Sequence, residues 1–167
     1  MGLLQVDTET VTSAVAYVTL TGIDSDDVYM VAYSNVFMSS SGAQNRIRFT
    51  VSGSADTSSN YDRASKQMYT NQSFYNSSST NGDHISSLGL GTTSTQPDLG
   101  LLYLYNFNNS SKFSFITREQ IQTNTASEVA GIMGGAVLTV SQACDGIQFF
   151  ASTGNIASGT FTLYKVV

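Results

Sequence analysis

The stretch RIRFTVS, Arg46 to Ser52, alternates polar and apolar side chains one for one. Only an extended strand sends successive side chains to opposite faces. This period of two therefore predicts a half-buried strand, with Ile47, Phe49 and Val51 facing in and Arg46, Arg48, Thr50 and Ser52 facing out. The same period returns from Thr160 to Val167 around Phe161 and Leu163. β-Branched and aromatic runs fill Ser13 to Leu20, Val28 to Phe37, Leu101 to Phe107, Lys112 to Arg118, Ala136 to Val140 and Ile147 to Ala151. Turn residues punctuate them at Asp24 to Asp27, Asp145-Gly146, Gly154-Asn155 and Ser158-Gly159. Asn108 to Ser111 separates two of the runs and predicts a hairpin with a four-residue loop. About eight to ten short strands with turns between them predict one all-β domain over residues 1–167. The specific expectation is an antiparallel, jelly-roll-like β-sandwich with its last strand tied inside a sheet.

No segment carries the apolar stripe of a helix. Arg118 to Ala130 comes nearest, yet its Thr and Asn content opposes helix formation. Tyr61 to Phe74 reads either as a short helical turn or as an irregular edge strand. Asn76 to Gln96 is dominated by Ser, Thr, Gly and Asn and reads as a long loop anchored at Ile85, Leu88 and Leu90, with the single proline, Pro97, closing it.

Composition narrows the function. Charged residues are 11% of the chain, less than half the usual share of roughly 25%. The net charge of -5 opposes nucleic-acid binding, which needs clustered Lys and Arg; Arg46 and Arg48 make a pair, not a patch. Nine Tyr and nine Phe supply the aromatic mass that disordered chains lack. Apolar runs are too short to span a membrane, and no opening segment has the charged start and apolar stretch of a secretory leader. The one cysteine, Cys144, forms no internal disulfide, so folding in a reducing cytosol is expected.

Chemistry-bearing motifs are sparse. The single histidine, His84, stands in the polar Asn76 to Gln96 stretch, where exposure to solvent is the expectation, and no G-x-S-x-G accompanies it. Cys144 reads as a structural thiol. Asp24, Asp26 and Asp27 offer oxygen ligands, but without the glycine and distal glutamate of an EF-hand they read as a solvated turn. Gly131 to Gly135 lacks the Lys-Ser/Thr ending of a phosphate loop. The reading therefore expects no catalytic residue, no metal and no cofactor. The tyrosines combine apolar contact with a hydroxyl, which suits protein interfaces and sugar binding, although core tyrosines with a wet hydroxyl look the same in sequence. Tyr61, Tyr69, Tyr75 and His84 are the residues expected at a ligand or partner contact.

Three stretches carry a resemblance to a known family. These are the opening MGLLQVDTETVTSAVAYVTLTGIDSDDVYMVAYSNV, the hairpin GLLYLYNFNNSSKFSFITR and the end DGIQFFASTGNIASGTFTLYKVV. Their order and spacing resemble short, stand-alone β-rich structural proteins of tailed bacteriophages of aquatic bacteria. Ser39 to Gln44 departs from that pattern in being short and polar, and the central loops are abbreviated. The resemblance implies a non-enzymatic virion component assembled in the bacterial cytoplasm. It would be displayed as a capsid decoration or fibre knob, and its partners would be other virion proteins and copies of itself, expected as a trimer. A receptor-binding tip gripping a host surface glycan is the alternative within that class. From another class comes a carbohydrate-active enzyme on the same kind of sandwich, which needs two opposed carboxylates.

Overall fold

The computed structural model describes residues 2–71, 73–89, 97–123 and 128–167, and every helix or strand element among them is a strand. In chain order these are β1 Leu3–Val11, β2 Tyr17–Thr21, β3 Tyr29–Met38, β4 Gln44–Val51, β5 Ser54–Ala55, β6 Tyr61–Tyr69 and β7 Phe74–Gly82. There follow β8 Ile85–Gly89, β9 Asp98–Tyr105, β10 Ser114–Thr123, β11 Val129–Leu138, β12 Gly146–Ala151 and β13 Ile156–Val166. They form two antiparallel sheets. The larger has eight strands in the order β1-β13-β3-β9-β10-β11-β6-β7. The smaller has five, in the order β2-β12-β4-β5, with β8 on β4 as well. The expected antiparallel β-sandwich is the observed architecture.

One apolar core joins the sheets. Leu20, Ile47, Phe49, Ile147 and Phe149 come from the smaller sheet, and Tyr29, Val31, Leu102, Leu104, Phe161 and Leu163 from the larger. Aromatic contacts cross the gap: Phe149 lies 4.9 Å from Phe161 and 5.7 Å from Tyr33, centroid to centroid. Further along, Phe49 meets Phe107 at 4.4 Å and the edge of Tyr61 at 5.4 Å. Each such ring adds its area burial and about 0.5–1.5 kcal/mol of ring–ring contact. Gly100 gives room for one of them: a Cβ there would stand 2.4 Å from the Tyr33 hydroxyl oxygen, so the ring lies across the glycine on the neighbouring strand.

Several expectations change. The stretch from Asn76 is no single long loop: it carries most of β7, then β8, and only its last residues, 90–96, lie outside the described ones. Tyr61 to Phe74 resolves into strand β6, a turn, and the start of β7. The best helix prospect, Arg118 to Ala130, supplies most of β10 and the start of β11, with 124–127 outside the described residues. The Thr-rich lead before Ser13 is β1, paired along β13, so the last strand does sit inside its sheet. Thr50, expected to face out, is fully buried, with its hydroxyl donating to Asp145 Oδ1 at 2.6 Å. The hairpin of β9 and β10 is present, but its connection runs from Asn106 to Phe113. Asn106 takes a left-handed φ of 58° and Phe107 is fully buried, which widens the loop.

Candidate functional site: an apolar outer sheet face

β10 inverts the pattern that usually separates core from surface. Inward it sends Ser114, Ile116, Arg118, Gln120 and Gln122; outward it sends Phe115, Thr117, Glu119 and Ile121. Phe115 is 44% exposed and Ile121 52%. The flanking strands continue this outer surface. β9 presents Leu101 and Tyr103, and β11 presents Val129 and Met133, all exposed. These are central strands of the larger sheet, where a water-facing surface ordinarily carries polar side chains.

Strand registers arrange the surface in rows. One row runs Thr162, Ala32, Leu101, Glu119, Met133, Lys66 and Asn76 across seven neighbouring strands. The next runs Tyr164, Met30, Tyr103, Thr117, Gly135, Ala64 and Ser78. On the other side, Leu99, Ile121, Gly131, Met68 and Phe74 form a third. Small residues leave two hollows. One, of about 710 Å³, is lined by Ala32, Ser34, Leu101, Ile121, Gly131 and Tyr164. The other, of about 580 Å³, is lined by Ala64, Thr80, Phe115, Gly135 and Val137 among others. Leu101, Tyr103, Glu119 and Met133 border a smaller depression between these two regions. Gly134 allows β6 its close approach, since a Cβ there would meet Ala64 O at 2.3 Å. The face can adhere to another apolar surface, and an apolar patch spread over neighbouring strands marks an interaction site more often than a solvated wall.

The residues expected to contact a ligand scatter. Tyr61 is only 1% exposed and belongs to the core, which corrects its assignment to a contact surface. Its hydroxyl accepts from Phe49 N at 3.0 Å and donates to Asp56 O at 3.1 Å, tying β6 to β4 and the turn beyond β5. Burial raises its pKa. Tyr61→Phe leaves the Phe49 N–H without that acceptor and is expected to lower unfolding free energy by about 1–3 kcal/mol, read as a reduced urea midpoint at unchanged slope. Tyr69 and the exposed Tyr75 do come together, edge to face at 5.5 Å, at the turn end of the β6–β7 hairpin. They alternate with Met68 and Phe74 and so lie on the opposite side of the sheet from the apolar rows.

His84 is not a solvent-facing loop residue. Its side chain keeps 17% of its exposure, Nδ1 lies 2.5 Å from Asp83 Oδ1, and its ring meets Phe150 edge-on at 6.0 Å. Arg48 completes the group: it lies over the Phe150 ring at 4.4 Å and reaches Asp83 through Nη2 at 2.7 Å and Nε at 2.9 Å. Burial depresses the His84 pKa despite Asp83, while the hydrogen bond from His84 lowers that of Asp83. The arrangement fastens the β7–β8 turn to the smaller sheet. Cys144 is buried beside Ser114, and desolvation pushes its thiol up to about 11, the setting of a structural thiol. The Asp24 to Asp27 turn is occupied by cationic side chains: Lys165 Nζ stands 2.7 Å from Asp27, and Asp26 faces Lys112 at 3.9 Å. No group of three or more His, Cys, Asp or Glu suited to a metal ion occurs among the described residues.

A buried polar layer lies under the apolar face and escaped the sequence reading. Asp98 is fully buried; Asn45 Nδ2 donates to its Oδ2 at 3.1 Å and Gln120 Nε2 to its Oδ1 at 2.7 Å. Gln120 also donates to Gln122 Oε1 at 2.9 Å. Arg118 donates to Ser86 O at 2.7 Å and to Ser65 Oγ at 3.3 Å, bridging the two sheets. Desolvation raises the Asp98 carboxyl to about 7, outweighing its hydrogen bonds and the nearby Arg118 charge. The clue available in sequence was Arg118, Gln120 and Gln122 at a spacing of two, opposite in phase to Phe115, Glu119 and Ile121.

Comparison with known proteins adds no relative: no family model, curated protein or solved structure matches the chain.

Proposed function

We propose that this chain is a non-enzymatic structural subunit displayed on a bacteriophage particle, as a capsid decoration or fibre knob, and that the outer face of its larger sheet is a contact through which its subunits assemble. The observation that carries the reading is the continuous display of Leu101, Tyr103, Phe115, Ile121 and Met133 on the outer side of three neighbouring central strands. Such a face loses its contact with water when it adheres, at about 25 cal/mol for each Å² of apolar surface covered. Repetition over many subunits multiplies a modest individual contact. The resemblance of the opening, hairpin and final segments to phage structural proteins supplies the particle. Assembly in the bacterial cytoplasm follows from the same reading.

The test is recovery of the chain with assembled particles and its copy number there, by quantitative mass spectrometry. Hundreds of copies per particle mark a decoration and a handful mark a tail component; absence from particles defeats the proposal. Met133→Glu places a charge in the middle of the face without touching the core, and is expected to reduce incorporation at least about tenfold while the purified chain stays folded.

A second reading, a receptor tip that grips a host glycan, draws on the Tyr69–Tyr75 pair, whose Tyr75 is exposed. Aromatic faces at a hairpin end suit sugar rings. Tyr75→Ala separates the two readings: loss of adsorption to host cells with normal incorporation favours the tip.

A further inference from the structure

Glu119 and Lys66 stand in one row of the outer face with Met133 between them. Two strand spacings put their backbones roughly 10 Å apart, and both side chains are exposed. Among the described residues neither has an ion-pair partner within the chain. Lys66 instead rests over Phe74, with Nζ 5.7 Å from the ring centroid. Along this row, an otherwise apolar surface thus carries one acid and one base on either side of β11, and Asp62 stands two rows away on the same face, opposite Val137.

We infer that this face binds a second copy of the same chain, sheet against sheet, about a two-fold axis that runs along β11 in the plane of contact. Such a rotation keeps each row in place and reverses its order about β11. Glu119 of one copy then faces Lys66 of the other, twice, and Met133 meets Met133 on the axis. In the adjoining row Ile121 faces Met68 and Leu99 faces Phe74. An axis at right angles, along the rows, sets Glu119 against Glu119, so charge selects between the two orientations. The area is of the right order. Five strands at 4.8 Å by eight residues at 3.4 Å cover roughly 650 Å² in plan, close to the ~800 Å² that each partner contributes to a stable interface. The inference rests on reading the outer face as a contact surface, and it puts a two-fold pair in place of the expected trimer.

Sedimentation equilibrium of the full chain, run across its soluble concentration range, tests it. The wild type is expected as a reversible dimer. Glu119→Lys and Lys66→Glu each bring like charges together twice and are expected to weaken the dimer at least about tenfold. The double exchange restores opposite charges and is expected to return the affinity to within about threefold of wild type. Both side chains are exposed, so circular dichroism and thermal midpoints of the single variants should match the wild type, which separates lost association from lost folding. A monomeric or trimeric wild type, or a dimer indifferent to both single exchanges, overturns the inference. If a monomeric chain still loses particle incorporation on Met133→Glu, the two-fold fails while the contact face stands.

Discussion

Titrated from pH 4 to pH 7, the folded protein is expected to lose roughly 4 kcal/mol of stability, and Asp98→Asn to remove most of that loss. The carboxyl is fully buried and burial holds its pKa near 7, against 3.8 as the ordinary value. A difference of about three units at 1.36 kcal/mol each gives the magnitude. The sign follows from proton counts. Between those two pKa values the unfolded chain has released the Asp98 proton and the folded chain retains it, so stability falls as pH rises and levels off above about 7. Below the ordinary value the contribution is fully present. The groups facing Asp98 fit a neutral acid. Arg118 is held by Ser86 O and Ser65 Oγ rather than by the carboxylate. Tyr33, its own pKa raised by burial, adds no charge. Asn45 Oδ1 has no hydrogen-bond partner, so turning that amide over would offer the Asp98 hydroxyl an acceptor. His84 works in the opposite direction near its ordinary 6.5, because burial lowers its pKa and its protonation opposes folding. Asp24, Asp27, Asp56 and Asp83, all lowered, lose their contributions only in more acidic solution. Urea midpoints across the pH series, wild type against Asp98→Asn, give the measurement; a flat wild-type profile between pH 4 and 7 contradicts the buried neutral acid.

How far these features could be read from sequence depends on what each strand buries. β4 and β13 show alternation because one side packs apolar groups into the core while the other carries mostly polar or half-buried ones, so RIRFTVS and the final segment announce themselves. β7, FYNSSSTNG, is an edge strand with mostly exposed or half-buried side chains, and nothing in its composition needs to alternate. β10 defeats the pattern differently. Its inner side turns polar at Arg118, Gln120 and Gln122 because those groups find partners in the buried layer, while its outer side turns apolar at Phe115 and Ile121. Periodicity is present there, but hydropathy is assigned to the opposite faces. β9 carried a usable signal: LGLLYLY is apolar at nearly every position, as in strands covered on both sides. Read that way, it points to the outer face. Tyrosine count could not separate Tyr61, which closes the core, from Tyr75, which stands 54% exposed.

Phe149→Ala is expected to cost about 3–5 kcal/mol, a large part of the roughly 5–15 kcal/mol that holds a domain folded. The ring is fully buried on β12, between Val18 of β2 and Ile47 of β4 in register, and crosses to Tyr33 and Phe161 of the larger sheet. Truncation leaves a void bounded by two rigid sheets, whose backbones are fixed by ladders on either side and cannot close over it. Phe149→Leu keeps most of the volume and should cost less than half as much. Combining Phe149→Ala with Phe161→Ala measures the ring contact, and a coupling of about 0.5–1.5 kcal/mol is expected from the 4.9 Å approach. The informative contrast is Phe115→Ala, on the outer face and 44% exposed. Its truncation removes a ring only partly covered in the single chain, so stability measured where the chain is monomeric should fall by about 1–2 kcal/mol, well short of Phe149→Ala. Association through the outer face should nevertheless weaken. If Phe115→Ala destabilises the monomer as severely as Phe149→Ala, that ring supports the fold and the division of labour between the two sides of the larger sheet is lost.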